Sequence, residues 1–276
     1  MSGKLYIVGT PIGNLEDMSP RAVRVLSQVD FIAAEDTRVT RKLLTHFEIK
    51  NELTAYYEHN KGDKGDYIIN RLLAGESCAV VTDAGMPAIS DPGEDLVRAA
   101  HENGITVESV PGPVAVCTAL SLSGMKSGRF CFEGFLSVDK SSRKRHLEQI
   151  KDEPRTMIFY EAPHKLNATL ADFCRVFGEN RPVAVVKELT KIHETVFRAT
   201  LGEAAEYYIQ NPPRGEYVLI VDGKPQQDER KYTADEAVKI AKKLMGNGLS
   251  ASAAAKEAAE VTGIKKGEIY REMIKD

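Results

Sequence analysis

Residues 78–93 read CAVVTDAGMPAISDPG. The apolar run Cys78 to Thr82 reads as a strand, and a helix pattern follows around Glu94 to His101. Between them, Gly85, Pro87, Pro92 and Gly93 share one loop. That composition specifies a fixed backbone that can approach a neighbour closely, more than it specifies reactive side chains.

The same unit recurs on both sides. Upstream stand the strand Leu5 to Val8, a helix opened by Ser19 and Pro20, the strand Phe31 to Ala34, a helix through Leu43 and Leu44, the strand Leu53 to Tyr57, and a helix around Tyr67 to Leu73. Ser as N-cap with Pro at the first helical position is a specific start signal. Downstream come the strand Thr106 to Val110 and a helix from Val114 to Leu122 that closes at Gly124. Such alternation predicts an α/β domain with a mostly parallel sheet over residues 1–125.

A second series fills residues 126–223. It holds the strand Phe130 to Phe135, a basic loop and helix from Lys140 to Ile150, the strand Thr156 to Tyr160, the helix Leu166 to Phe177 and the strand Val183 to Lys187. Glu194 to Leu201 and Tyr217 to Val221 then flank only one short helix, so a mixed sheet is expected here. The polar segment Lys224 to Arg230 reads as a linker. Residues 232–276 are helical in pattern: a capping box at Thr233 and Glu236, a cap at Ser250 and a turn at Gly263 give a helix-turn-helix-like appendage.

The chain has 276 residues with 42% hydrophobic and 28% charged side chains, enough for a sizeable core and unlike a disordered chain. No apolar stretch approaches the length of a membrane helix and no signal segment is visible, so no membrane partner is expected. Cys78, Cys117, Cys131 and Cys174 stand singly, without CxxC spacing or clustered histidines. Neither zinc nor a disulfide framework is suggested, and a cytoplasmic location and no metal are expected. A formal charge of -3 means that any nucleic-acid contact must come from local patches.

Ligands of open α/β sheets bind outside the carboxyl ends of the strands. Three loops there are unusual: residues 9–15 (GTPIGNL), residues 83–93, and residues 110–115 (VPGPVA). The first lacks GxGxxG, and its Pro11 removes an amide that a pyrophosphate cradle would use, which argues against a nicotinamide dinucleotide. Backbone polar groups beside Ile, Val and Met suit an adenine-and-sulfonium ligand better than a highly charged one.

LYIVGTPIGNLEDMSPRAVRVL, AAEDTRVTRKLL, VTDAGMPAISDPGEDLV, VPGPVAV, FEGFLS, IFYEAPHKL, KELTKIHETVFRATL and GEYVLIV together resemble the tetrapyrrole-methylase superfamily, and within it the branch that acts on ribosomal RNA. The resemblance spans essentially the whole chain. It implies two α/β domains of that type with a helical appendage, in a homodimer. The implied activity is 2′-O-methylation of a cytidine ribose in the decoding centre of small-subunit (16S) rRNA, using S-adenosylmethionine. It also implies cofactor contacts at Pro11, Gly85, Met86, Pro87, Ile89, Val114, Ala115, Tyr160, Leu189 and Glu216. Met86 and Val114 stand where this family often has Thr and Ser, so contacts there fall to the backbone.

A ribose hydroxyl is a weak nucleophile and needs a base. The polar residues at strand ends are Glu35, Asp36, Arg38, Asp83, Glu161, His164, Lys187 and Glu188, and of these Glu35, Asp36, Arg38 and Glu161 are the catalytic candidates. Glu35 to Arg38 can position a base, bind a phosphate, or form an Asp-Arg pair with a helix cap. Lys140, Arg143, Lys144 and Arg145 make the only dense basic cluster and are the expected phosphate contacts. A small-molecule methyltransferase acting on a tetrapyrrole would not need that cluster or the appendage. A non-enzymatic, nucleoside-sensing regulator would bind S-adenosylmethionine without turnover.

Overall fold

The computed structural model describes residues 2–225 and 232–274, so the linker expected at Lys224 to Arg230 falls, beyond Pro225, outside the described residues. Met1–Lys224 and Pro225–Asp276 form two compact units.

The first unit opens with five strands and their helices: β1 (Lys4–Val8), α1 (Pro20–Gln28), β2 (Phe31–Ala34), α2 (Thr37–His46), β3 (Glu52–Ala55), α3 (Lys61–Leu73), β4 (Cys78–Val81), α4 (Glu94–Glu102), β5 (Thr106–Val110) and α5 (Ala115–Ser123). The sheet order is β3-β2-β4-β1-β5, and every pairing is parallel. Both faces are covered, as a parallel sheet requires. Phe31 and Ala33 enter one apolar cluster with Ile68, Leu72 and Leu96, while Ile32 and Ala34 enter the other with Ala22 and Leu26. Ser19 caps α1 by accepting from the Ala22 amide (3.1 Å), with Pro20 in the first turn.

A second sheet follows, built from β6 (Phe130–Phe135), α6 (Lys140–Gln149), β7 (Thr156–Glu161), α7 (Leu166–Phe177), β8 (Pro182–Lys187), β9 (Thr195–Thr200), α8 (Leu201–Gln210) and β10 (Tyr217–Val221). Its order is β6-β7-β10-β8-β9. Only β6 and β7 are parallel, and the other pairs are antiparallel. This is the mixed sheet that two strands flanking one short helix foretell. One face is covered by α6, α7 and α8 through Leu147, Leu170, Phe173 and Ala204. The other takes Val116, Ala119 and Leu120 of α5 against Ile158, Val186 and Ile220. The last helix of the parallel series thus packs on the second sheet, which welds the two sheets into one body.

The basic run Lys140 to His146, expected as a loop, is instead the first two turns of α6. Asp139 caps it by accepting from the Ser142 amide (2.8 Å), an anion placed where a helix start favours one. Leu147 is its one buried residue, so apolar periodicity could not reveal the helix.

The second unit has α9 (Ala234–Gly246), α10 (Ala251–Thr262) and α11 (Lys266–Ile274). Thr233 and Glu236 form the expected capping box, and Gly263 takes the left-handed conformation that ends α10. Its core is Ala237, Ala241, Ala254, Ala255, Ala258 and Ile269.

Candidate active site

Since β4, β1 and β5 are neighbours, the three Gly/Pro loops leave the sheet side by side. They are also laced together. Thr10 and Gly85 exchange backbone hydrogen bonds (2.9 and 3.2 Å), and the Gly9 amide donates to the Val110 carbonyl (3.0 Å). A Cβ on Gly9 would fall 2.7 Å from the Gly112 Cα, so both residues must be glycine for the first and third loops to touch. Gly85 is required for its backbone, at φ +94°, and not for space. Ala88 and Ser90 in the second loop, and Glu188 and Thr190 after β8, hold positive φ without being glycine. Strain of that kind gathers where a surrounding structure fixes a functional loop.

These loops, the carboxyl ends of β7 and β8 and the amino end of β10 enclose a cavity of about 570 Å³. Of the residues expected to touch a cofactor, Gly85, Met86, Ile89, Val114, Ala115, Tyr160, Leu189 and Glu216 all line it. Pro11 does not; it lines a smaller neighbouring slot. Pro87 is buried and stands outside the lining as well. Tyr160 is clasped edge-on by Phe132 and Phe135 (ring centroids 4.9 and 5.4 Å), and burial pushes its phenol up to about 12. It is therefore a neutral aromatic wall. Glu216 lines the cavity while its carboxylate is held by the Lys191 ammonium (2.7 Å).

One wall is acidic. Glu35, at the end of β2, accepts a hydrogen bond from the Thr82 hydroxyl, and Asp83 accepts from the Asp36 amide (3.1 Å). Asp91 folds back from the loop after β4 to join them in the lining. Burial raises the Asp83 carboxyl, with the charge of Glu35 adding to it. Burial, then the charge of Glu35, pushes Asp91 up to about 6. Asp91 is the carboxylate of the lining that sequence reasoning did not single out. Its loop reads as backbone scaffolding, and only the fold returns it to Glu35.

Other candidates separate. Glu161 lines the cavity but is almost wholly buried, and both its oxygens are taken, one by the Ala162 amide (2.8 Å) and the other by the Thr169 hydroxyl. Asp36 and Arg38 lie outside the lining: Asp36 caps α2 through the Arg38 amide (2.8 Å) and grips the Arg38 guanidinium (2.6 Å). That ion pair, with the Arg38 amide, holds the Asp36 carboxyl at about 2, too low for a base near neutrality. The pair-and-cap reading is the one the structure realises. His164 sits in the short 3-10 turn Pro163–Lys165 on the cavity rim. In α6, Lys140, Lys144 and Arg145 are exposed, but Arg143 turns inward to Asp172 (2.7 Å) and the Thr169 hydroxyl (2.9 Å). Arg143 is thus corrected from a surface phosphate contact to part of a buried network that ends on Glu161.

Among the described residues, no three His, Cys, Asp or Glu side chains are arranged to hold a metal ion. No described helix is long and apolar enough to cross a membrane.

Residues 4–205 match the family model described as Tetrapyrrole (Corrin/Porphyrin) Methylases. A protein of Xylella fastidiosa (strain Temecula1) named ribosomal RNA small subunit methyltransferase I is 48% identical over 97% of this chain and 98% of its own. Its namesake in Escherichia coli O157:H7 is 46% identical over 98% of this chain and 94% of its own. Among solved structures, uroporphyrin-III C-methyltransferase from Thermus thermophilus in complex with S-adenosylhomocysteine superposes with a TM-score of 0.56 at 19% identity, over 80% of this chain and 97% of that one. The Aeropyrum pernix protein APE0931 does so with a TM-score of 0.63 at 14% identity, over 100% of this chain and 98% of that one.

Proposed function

Because this chain belongs to the tetrapyrrole methylase family, in the branch of the ribosomal RNA small subunit methyltransferase I proteins, we propose that it transfers a methyl group from S-adenosylmethionine to a cytidine 2′-oxygen in the decoding centre of 16S rRNA. The observation that carries this reading is the cavity itself, in which apolar walls and an acidic wall meet. Met86, Ile89, Leu189 and Val218 offer surfaces for an adenine and exclude water. Glu35, Asp83 and Asp91 present negative charge to a cation, which fits a sulfonium and an ammonium. When bound, S-adenosylmethionine supplies a methyl group already activated for displacement.

Asp91 is the base in this reading. Near pH 7 its carboxylate is mostly unprotonated, yet at about 6 it is a far better proton acceptor than an ordinary aspartate. It takes the proton of the 2′-hydroxyl as the oxygen attacks. Glu35 keeps Asp91 basic through its charge, and the Thr82 hydroxyl orients Glu35. Glu161 holds the chain at Ala162, and with it the Pro163 and His164 rim of the cavity. Lys140, Lys144 and Arg145 provide exposed charge for phosphates. The resemblance also supports a homodimer in the cytoplasm, which sedimentation of the purified chain and cell fractionation would check.

Nucleoside mass spectrometry of 16S rRNA from a strain lacking the gene tests the function. One 2′-O-methylcytidine should disappear and return when the gene is restored. An unchanged nucleoside pattern would turn the reading toward a small-molecule acceptor.

A further inference from the structure

Beside the main cavity, sharing Thr82 and Asp83 with it, lies a separate slot of about 300 Å³ between the loop after β1 and helix α2. Its walls are apolar, from Pro11, Leu15 and Leu43, and the ammonium-bearing Lys42 stands at its edge. Two polar groups there are unspent. Thr40 is 2% exposed, yet its hydroxyl has no hydrogen-bond partner. A helical threonine commonly bonds back to the carbonyl four residues earlier, as Thr45 and Thr118 do here, but the Thr40 hydroxyl makes no such bond. Asn14 uses its side-chain oxygen on the Glu16 amide (3.1 Å), and its NH2 group has no partner among the described residues. The Asn14 NH2 is open to solvent, but the buried Thr40 hydroxyl left unmatched is costly, and its persistence calls for a partner that arrives from outside.

We infer that this slot receives the nucleobase of the methylated nucleotide, and that the outer face of α2 receives the adjoining phosphates. The inference rests on the function proposed above and deepens it. A ribose presented to Asp91 must carry its base to one side, and the slot opens at Asp83, on the same acidic wall. An unstacked base is recognised by apolar faces and a few hydrogen bonds along its edge. Cytosine presents two acceptors, O2 and N3, which match the spare hydroxyl of Thr40 and the spare amide of Asn14. Arg41 and Lys42 are exposed on α2 with no ion pair among the described residues, whereas Arg38 is bound to Asp36. They are the charges on this face that are available to phosphate.

The test uses the full chain and small ribosomal subunits from a strain lacking the gene. Thr40→Val keeps the shape and removes the hydroxyl. It should raise KM for subunits about tenfold, the order of one hydrogen bond. Affinity for S-adenosylmethionine should stay unchanged, and Tm should be equal or higher because an unmatched buried hydroxyl is gone. Thr40→Ser should recover the wild-type KM. Arg41→Ala with Lys42→Ala should flatten the salt dependence of subunit binding by roughly 0.7 log-log units for each phosphate no longer neutralised. A wild-type KM in Thr40→Val, or a fall in its Tm or cofactor affinity, would overturn the base slot. An unchanged salt slope in the α2 variant would remove the phosphate face. If the wild-type protein itself transfers no methyl to these subunits, the proposed function fails first, a result separate from any behaviour of the variants.

Discussion

The two walls of the cavity use the same residue types to opposite ends. On the wall from the parallel sheet, Asp83 and Asp91 are crowded with Glu35 and raised by burial, with no cation bound to either. On the wall from the mixed sheet, Glu161 is locked by Thr169 and the Ala162 amide and Glu216 by Lys191, while Glu188, outside the lining, is held by Lys191 and the Glu216 amide. Carboxylates held in this way, Glu161 on both oxygens and the other two by an ammonium, are set in place and have little left to do with a proton. Crowded carboxylates keep their reactivity in reserve. In the proposed reaction the first wall is therefore the chemical one and the second the frame that holds the cavity open.

The sharpest break between the walls is Asp91→Asn. Methyl transfer should fall by about 10²–10⁴-fold, the usual share of general base catalysis, while S-adenosylmethionine still binds. In the wild type, the single-turnover rate should rise with pH through about 6 as Asp91 loses its proton. The stability effect runs in the other direction. A folded pKa raised above the ordinary 3.8 favours the folded state at low pH, and that contribution is lost as pH rises through about 6. Asp91→Asn should then be at least as stable as the wild type at pH 8, measured by thermal unfolding. A marked fall in Tm there would show that Asp91 is a structural residue like those opposite it.

Gly85→Asp attacks the loop between the walls. At φ +94° any side chain strains the backbone, and a carboxylate would also project toward the cavity that Gly85 lines. Calorimetry should find no detectable S-adenosylmethionine binding, and retained affinity would mean that this loop is not the cofactor cradle. On the frame wall, Thr169→Val leaves one oxygen of a buried glutamate unmatched and should cost about 1–3 kcal/mol of stability. Activity well below the melting range should nevertheless survive. A variant that folds normally but loses its turnover would make Glu161 a reacting group and erase the distinction between the walls. The smallest effect belongs to the surface: Lys140, Lys144 and Arg145 replaced together by alanine should leave Tm and cofactor affinity alone. The salt slope of RNA binding should flatten by roughly 0.7 units for each phosphate that these side chains neutralise. An unchanged slope would leave the three charges as a solvated face, with Lys265, Lys266 and Arg271 of the helical unit next to test.

Much of this was legible in the linear chain because the signals are local. Ser19 with Pro20, Thr233 with Glu236, and Gly124 and Gly263 at helix ends mark boundaries through contacts within a few residues. Glycine and proline loops after strands likewise announce a cleft. What stayed hidden depends on partners far away in sequence. Arg143 looks like surface charge until Asp172 and Thr169 are brought beneath it, and Asp91 looks like a turn residue until β2 delivers Glu35. The start of α6 was hidden for another reason: seven polar residues open it, and a single aspartate cap sets it.

The placement of β1 also has a consequence in time. It lies between β4 and β5, with Leu5 opposite both Cys78 and Val107. β1 can therefore not meet β4 until about 70 more residues have been made, nor β5 until about 100, roughly 4–20 s at ordinary rates of synthesis. Until β4 is made this apolar strand waits with both edges bare, and until β5 with one, a state prone to mispairing. The cavity is complete only later still, when β7, β8 and β10 of the second sheet have been made. Slow codons between β1 and β5 should lengthen the wait and lower the soluble yield, whereas the same codons after β5 should not.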